Sequence, residues 1–459
     1  MFRVLGMSCF GPQRNTRNSP HSRWLSDGTA LTRFCLYIPV LASFWFATML
    51  TTTSAYGQEL NPSTLTGKLI FGYQGWFECP GDNPQHIWIH WFSGSQPTVD
   101  MLPDVTELPL SERCNTGLQA VDGRPIAVYS AESQAVVERH FEWMRQYGLD
   151  GIALQRFGTT LSDPVFHAEL DRVLSNVRAA AEANGRVFFL EYDLSGLSSS
   201  NLNIVSQDWR QLEQSGLTRS PAYLQHRGHP VLGLYGLGFN GRPITPEAAL
   251  DLLHTLQADS AAFGGVTLMG GVPGGWRTRD GDASPDPAWD EVYRTFAVLS
   301  PWTVGRYTDL ASADRWREQR LEPDMVVLRR LGIDYMPVVF PGFSWHNLQA
   351  ARGVSAPLNQ IPRRCGTFYW RQVQNAVAAG ATTIFGAMFD EVDEGTAMFK
   401  LVAKPGDAPP NFLTLDADGC ELPSDWYLRL AGAATAVLRG NKDLLSTTLP
   451  LPLPGRLNP

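Results

Sequence analysis

The sequence predicts an α/β protein built as a (β/α)8 TIM barrel, a single domain with a long loop insertion after its first strand. Three observations predict it. Short β-rich apolar runs alternate with longer amphipathic ones along most of the chain. The short runs are apolar throughout, as a sheet buried on both faces requires. Several of them finish in ionisable or aromatic residues, and the strand ends at one face of such a barrel are where a site is built. A doubly wound open sheet is the alternative architecture.

The strands are read in order as KLIFGYQ (68–74), GIALQRF (151–157), VFFLEYD (187–193), PVLGLYG (230–236), GVTLMGG (265–271), WTVGRY (302–307), YMPVVFP (335–341) and TTIFGAMF (382–389). The insertion after the first of them is 78–132 and contains HIWIHWF (86–92). The helix at 133–148 puts Val136, Val137, Phe141, Met144 and Tyr147 on one stripe and stops at Gly148. The run 164–185 behaves likewise, and 245–258 opens with a Thr cap and a Pro at the first helical position. Runs at 315–332, 371–381 and 426–440 complete the helices.

Composition bounds the function. Hydrophobic residues are 44% and charged residues 18% of the 459, which favours a packed core over disorder. Net charge is −8 with no basic patch, which argues against a nucleic-acid partner. Trp is abundant, and Trp stacks on flat apolar faces, sugar rings included. Residues 1–57 read as a leader: Arg33 precedes the apolar run FCLYIPVLASFWFATML (34–50), and small residues follow. That run is either a signal peptide or an N-terminal membrane anchor; no later stretch has the length to span a membrane. Residues 58–445 then form the catalytic domain, and 446–459 a Pro-rich extended tail. Cys79, Cys114, Cys365 and Cys420 permit three pairings in an exported chain. Proximity in sequence favours Cys79–Cys114 and Cys365–Cys420. The expectation is a secreted or periplasmic monomer.

The chemistry concentrates in FDEVDEGTAMF (389–399), where Asp390, Glu391, Asp393 and Glu394 stand just past the eighth strand. A solvated turn, a calcium nest using Asp390 and Asp393, and a catalytic carboxylate pair all fit so far. Glycosidic cleavage needs one carboxyl as proton donor and another as nucleophile or base. Close carboxylates do not all ionise readily, so crowding itself divides the roles. Glu191 ends an apolar strand and is the next candidate, with Tyr192 beside it. Tyr73, Trp76, Gln155, Arg156, Arg306, Trp345 and His346 stand at other strand ends as candidate substrate contacts. GGVPGGW (270–276) lacks the Lys and Ser/Thr of a phosphate loop, and no G-x-S-x-G elbow occurs. No cofactor or zinc spacing is evident.

The stretch TFYWRQVQNAVAAGATTIFGAMFDEVDEGT resembles the last strand of glycoside hydrolase family 99, the endo-α-mannosidases and endo-α-mannanases. That family reads roughly S-F-N-E-W-H-E-G-T there. Phe389, Glu391, Glu394, Gly395 and Thr396 match, and Asp390, Val392 and Asp393 depart. FFLEYD is similar to the family's H-I-E-P-Y, with Glu191 in the place of its Glu, and FGYQGWF looks like its first strand. GKLIFGYQGWF also resembles a bacterial and fungal family 71/99-like, xylosidase/arabinosidase-like group. The resemblance spans residues 66–440 and implies a metal-independent, retaining hydrolase acting on carbohydrate. It implies Glu391 as the base that draws the proton from the substrate 2-hydroxyl, and Glu394 as the acid. Glu191 would hold a sugar hydroxyl. The departures at 392 and 393 leave mannose specificity behind. A non-catalytic carbohydrate-binding barrel and a calcium-dependent glycosidase are the competing functions.

Overall fold

KLIFGY is buried at every position in strand β1 (Lys68–Tyr73), so its side chains pack on both sides of the sheet. The computed structural model describes residues 60–85 and 87–453. Seven further strands run parallel with β1: β2 (Gly151–Phe157), β3 (Val187–Asp193), β4 (His229–Tyr235), β5 (Thr267–Val272), β6 (Val298–Pro301), β7 in two pieces (Asp334–Tyr335 and Val338–Val339) and β8 (Thr383–Gly386). The first piece of β7 pairs with β6 and the second with β8. Only Met336 and Pro337 separate the two pieces, and both continue the pairing through Met336 N–H to Leu299 O and Phe385 N–H to Pro337 O. The two ends of the sheet therefore belong to one short stretch of chain, and the sheet curls round on itself. A mostly parallel curled sheet with helices on its outside is a (β/α)8-barrel-like fold, and the open doubly wound alternative does not describe it.

The helices follow the strands. They are α1 (Gln134–Tyr147), α2 (Pro164–Asn184), α3 (Asn203–Ser215), α4 (Pro246–Ser260), α5 (Trp289–Thr295), α6 (Leu310–Trp316), α7 (Glu322–Leu331), α8 (His346–Ala351), α9 (Thr367–Ala378) and α10 (Trp426–Leu438). Their ends obey local chemistry. Ser133 Oγ accepts from Val136 N–H at the start of α1, and Gly148 takes the left-handed conformation at its end. Thr245 caps α4 ahead of Pro246.

Several expectations shift. The sixth strand lies at Val298–Pro301, not at 302–307. The later stretch turns instead: Arg306 N–H donates to Thr303 O over 2.9 Å, and Gly305 has φ +77°. The helix expected at 315–332 starts earlier, and a π-helical turn (Arg317–Leu321) joins α6 to α7. The sequence patterns name no helix at α3, α5 or α8. The 78–132 insertion carries two hairpins, Phe92–Ser93 with Gln96–Pro97 and Cys114–Gln119 with Pro125–Val128.

Cys79 is bonded to Cys114 and Cys365 to Cys420, the pairings that proximity favours. Leu449, Leu451 and Leu453 of the Pro-rich tail pack against the core. The leader 1–57, His86 and the last residues of the tail lie outside the described residues. Among the described residues no helix is long and apolar enough to cross a membrane.

Candidate active site

The acid-rich stretch leaves the C-terminal end of β8 as a buried loop stitched to the exit of β1. Phe389 N–H donates to Gly72 O over 2.8 Å. Asp390 then accepts from the backbone N–H of Gln74 (2.8 Å) on one oxygen and of Gly75 (2.9 Å) on the other. The loop folds back through Thr396 N–H and Ala397 N–H, both donating to Glu391 O. Arg363, itself buried, donates from Nη2 to Gly395 O (2.8 Å) and Ala397 O (2.7 Å). Gly395 has φ +65°, and a Cβ there would stand 2.8 Å from Ser344 N, so this turn needs glycine.

Asp390, Glu391 and Asp393 are buried and Glu394 is half-buried, which disposes of a plain solvated turn. Glu391 Oε1 accepts from Gln74 Nε2 (2.7 Å) and Oε2 from Thr396 Oγ1 (2.6 Å). Burial, then the charges of Glu394 and Asp393, hold the Glu391 carboxyl well above the usual carboxylate range. Burial and the Asp393 charge push Glu394 up to about 7, with Arg352 opposing. The Glu394 carboxyl has no hydrogen-bond partner among the described residues. Asp393 Oδ2 lies 3.1 Å from His90 Nδ1, and its Oδ1 is buried without a partner. Burial pushes Asp390 up to about 7 against the two backbone amides it accepts from. Both oxygens of Asp390, one half of the expected calcium nest, accept from backbone N–H groups.

Glu191 and Gln155 face each other in register across β3 and β2, and Gln155 Nε2 donates to Glu191 Oε2 over 2.6 Å. Burial pushes Glu191 up to about 7, with Gln155 opposing. The neighbouring strand makes room for it: a Cβ at Gly233 would lie 2.8 Å from Glu191 Cβ. Tyr235, half-buried at the end of β4, is raised by burial and by the charges of Asp193 and Glu394, with Arg242 and Arg306 opposing. Its ring meets Trp302 at 5.2 Å. The ends of β3 and β4 and the loops after β6 and β8 thus share one face.

Four candidates lie elsewhere, three of them because successive strand residues point to opposite faces. Arg156 and Tyr192 pair in register one step beyond Gln155 and Glu191. Their side chains turn toward α3. Arg156 is bidentate on Asp208 (2.6 and 2.7 Å) and reaches Asp171, and the Tyr192 hydroxyl also donates to Asp208. Tyr73 turns outward too. It is fully buried with its hydroxyl 2.9 Å from His140 Nδ1, and burial pushes that imidazole down to about 3. Trp76 has both faces covered, by His90 at 3.8 Å and Phe157 at 5.1 Å, which leaves no face for a sugar.

The others remain accessible. Arg306 is exposed and paired with Asp282, and Trp345 is half-buried against Phe343. His346 turns Nδ1 to Ala356 O (2.6 Å), while its backbone N–H donates to Asp100. The residue that sequence reasoning left out of the site is Gln74. Period-two alternation offers the signal: with Tyr73 outward, Gln74 faces in.

Neither a protein-family model nor a curated protein matches the chain. Solved structures do. The family 99 endo-α-mannosidase of Bacteroides thetaiotaomicron, in complex with bis-tris propane, is similar over 83% of this chain and 99% of its own, at 15% identity and a TM-score of 0.58. A second structure of a family 99 endo-α-mannosidase from that organism gives 83%, 100%, 14% and 0.58. At such identities the likeness shows a shared fold.

Proposed function

We propose that the protein is an exported glycoside hydrolase that cleaves glycosidic bonds in a poly- or oligosaccharide, with Glu391 and Glu394 as its carboxylate pair. One observation carries the reading. Two carboxyls three positions apart occupy one buried loop past the last strand, and each is held toward its protonated form by burial and neighbouring charge. Such a group keeps a proton near neutral pH while leaving another carboxylate ionised.

The hydrogen bonds divide the roles. Glu391 receives donors from Gln74 and Thr396, which favour its charged form. Glu394 receives none and is half-buried, which supports it as the group that hands a proton to a substrate oxygen. In the scheme suggested by the resemblance to family 99, Glu391 draws the proton from the substrate 2-hydroxyl as that oxygen attacks the anomeric carbon. Glu394 protonates the departing oxygen, then takes a proton from the water that opens the anhydro sugar, while Glu391 returns its proton to the freed 2-oxygen. Net configuration is retained. Glu191, braced by Gln155, offers an acceptor to a sugar hydroxyl. Val392 and Asp393 form a wall unlike the family's Trp and His, so the sugar and linkage are set by other contacts. The two disulfides fit an oxidising compartment and hence export.

The test is a polysaccharide panel read by released reducing ends, followed by Glu391→Gln and Glu394→Gln on whichever substrate is cleaved. Each variant is expected to lose about 10²–10⁴-fold in kcat. Full activity in both variants sinks the assignment, and sugar binding by the parent without any product supports the non-catalytic barrel instead.

A further inference from the structure

A second group of carboxylates lies behind Trp76, outside the acid loop. Glu78 follows the exit of β1, Glu132 stands just before the cap of α1, and Glu169 lies in α2. One oxygen from each lies within 4.8 Å of the other two, and among the described residues no other trio of His, Cys, Asp or Glu does this. The three side chains line a cavity of about 250 Å³ together with Trp76, His90 and Phe157.

This cluster differs from an ordinary acidic patch because its charge is not compensated. Glu169 is 6% exposed, and its carboxylate meets the Glu78 carboxyl while no Asn, Arg, Lys or backbone donor reaches either of its oxygens. Glu132 Oε1 is likewise buried and unpartnered. The compensation present is an amide from Asn83 to Glu78 Oε2 (2.9 Å) and one guanidinium, Arg172, on Glu132. Three formal negative charges thus meet one positive. Buried carboxylates persist when they are paired, protonated or bound to a metal.

We propose that Glu78, Glu132 and Glu169 hold a divalent cation of the calcium type. The donors are oxygen only, which suits a hard ion and not zinc, whose sites draw on His and Cys. Cys79, the neighbour of Glu78, is closed in a disulfide, and His90 is turned to Asp393. The cavity leaves room for the waters that complete six to eight ligands at about 2.3–2.6 Å. Such an ion joins three separate elements: the start of the 78–132 insertion, the entry to α1 and the body of α2. It also fixes the floor under Trp76, which stacks on His90, which in turn touches Asp393 in the acid loop. The inference stands independently of the hydrolase reading, since the ion makes no contact with Glu391 or Glu394.

The experiment uses the full chain, dialysed against EDTA and then titrated with calcium chloride. The melting temperature is expected to rise by several degrees and saturate with one ion bound. Terbium added to the stripped protein is expected to luminesce when tryptophan is excited, through the nearby Trp76, and calcium is expected to displace it. Glu169→Gln is expected to weaken calcium binding at least about tenfold, because a charged ligand is lost. If Glu169→Gln does not fold, Glu132→Gln, just ahead of the cap of α1, gives the same readout. The proposal fails if stripping and calcium leave the melting temperature unchanged and terbium stays dark, the outcome if Glu78 and Glu169 simply share a proton. It also fails if the folded variant binds calcium as tightly as the parent, which places the ion elsewhere.

Discussion

Gln74 and Glu391, 317 positions apart in sequence, meet through a 2.7 Å hydrogen bond from Nε2 to Oε1. The same residue donates its backbone N–H to Asp390, so the first strand's exit grips the acid loop twice. Removing the side-chain grip with Gln74→Ala takes one donor from the Glu391 carboxylate. A hydrogen bond to a charged group contributes about 1.5–3 kcal/mol, so kcat/KM is expected to fall roughly 10–100-fold. The direction in pH is also set. Loss of a donor raises Glu391 further, and a base acts only when deprotonated, so the acidic limb of the kcat/KM profile moves to higher pH. An unchanged limb in a folded Gln74→Ala protein would show that Gln74 does not tune Glu391.

As the proposed acid, Glu394 is expected to set the other limb. It is pushed up to about 7 by burial and the Asp393 charge, and an acid acts only while it keeps its proton. Activity is therefore expected to fall as pH rises through about 7. Glu394→Gln should abolish that limb and recover much of its rate on aryl glycosides whose leaving group needs no proton. A profile flat to pH 9 in the parent removes Glu394 from the acid's role.

Asp390 is expected to act on stability and positioning, not chemistry. Asp390→Ala strips the acceptor from two backbone N–H groups, those of Gln74 and Gly75. A buried donor left unsatisfied costs about 1–3 kcal/mol, so a loss of about 2–6 kcal/mol is expected in urea denaturation. Asp390→Asn keeps one acceptor and should lose about half as much. The sign with pH follows from its raised pKa. Retaining the proton stabilises the fold fully below the unfolded value, and that contribution is lost as pH rises through about 7. The gap in stability between parent and Asp390→Asn should therefore change between pH 5 and 8, and a constant gap argues that Asp390 does not titrate there.

Arg156 offers a test of the inward–outward assignment. Its partner Asp208 is 4% exposed and also holds Tyr192 and His167. Arg156→Met leaves that carboxylate short of its main counter-charge, a loss of about 3–5 kcal/mol. Replacing Asp208 with Leu in the same chain should restore much of it. KM of the folded variant is expected to stay near the parent's; a large rise in KM with unchanged stability would return Arg156 to the substrate face.

Much of this arrangement was written locally in the chain. The short apolar runs specify strands buried on both faces, and all eight expected segments but the sixth fall on a strand. The sixth misled because WTVGRY has strand composition, while Gly305 and the Arg306–Thr303 bond turn the chain there. Cysteines close in sequence paired with one another. Glu391, Glu394, Gly395 and Thr396 lie within six residues, so their neighbourhood is a property of one loop.

What the sequence by itself determined, then, is the alternation of strand and helix and the place of the acid loop past the last strand. Only the tertiary structure decided which member of each strand-end pair faces the site. Gln155 or Arg156, Glu191 or Tyr192, Gln74 or Tyr73 are equal choices in a run buried on both sides, because neither face is marked by polarity. Asp208 of α3 and His140 of α1 settle those choices by offering outward partners. The Glu78, Glu132 and Glu169 cluster was beyond local reading for the same reason: its members are far apart in the chain, and only the packing of α1 and α2 on the exit of β1 brings their charges together.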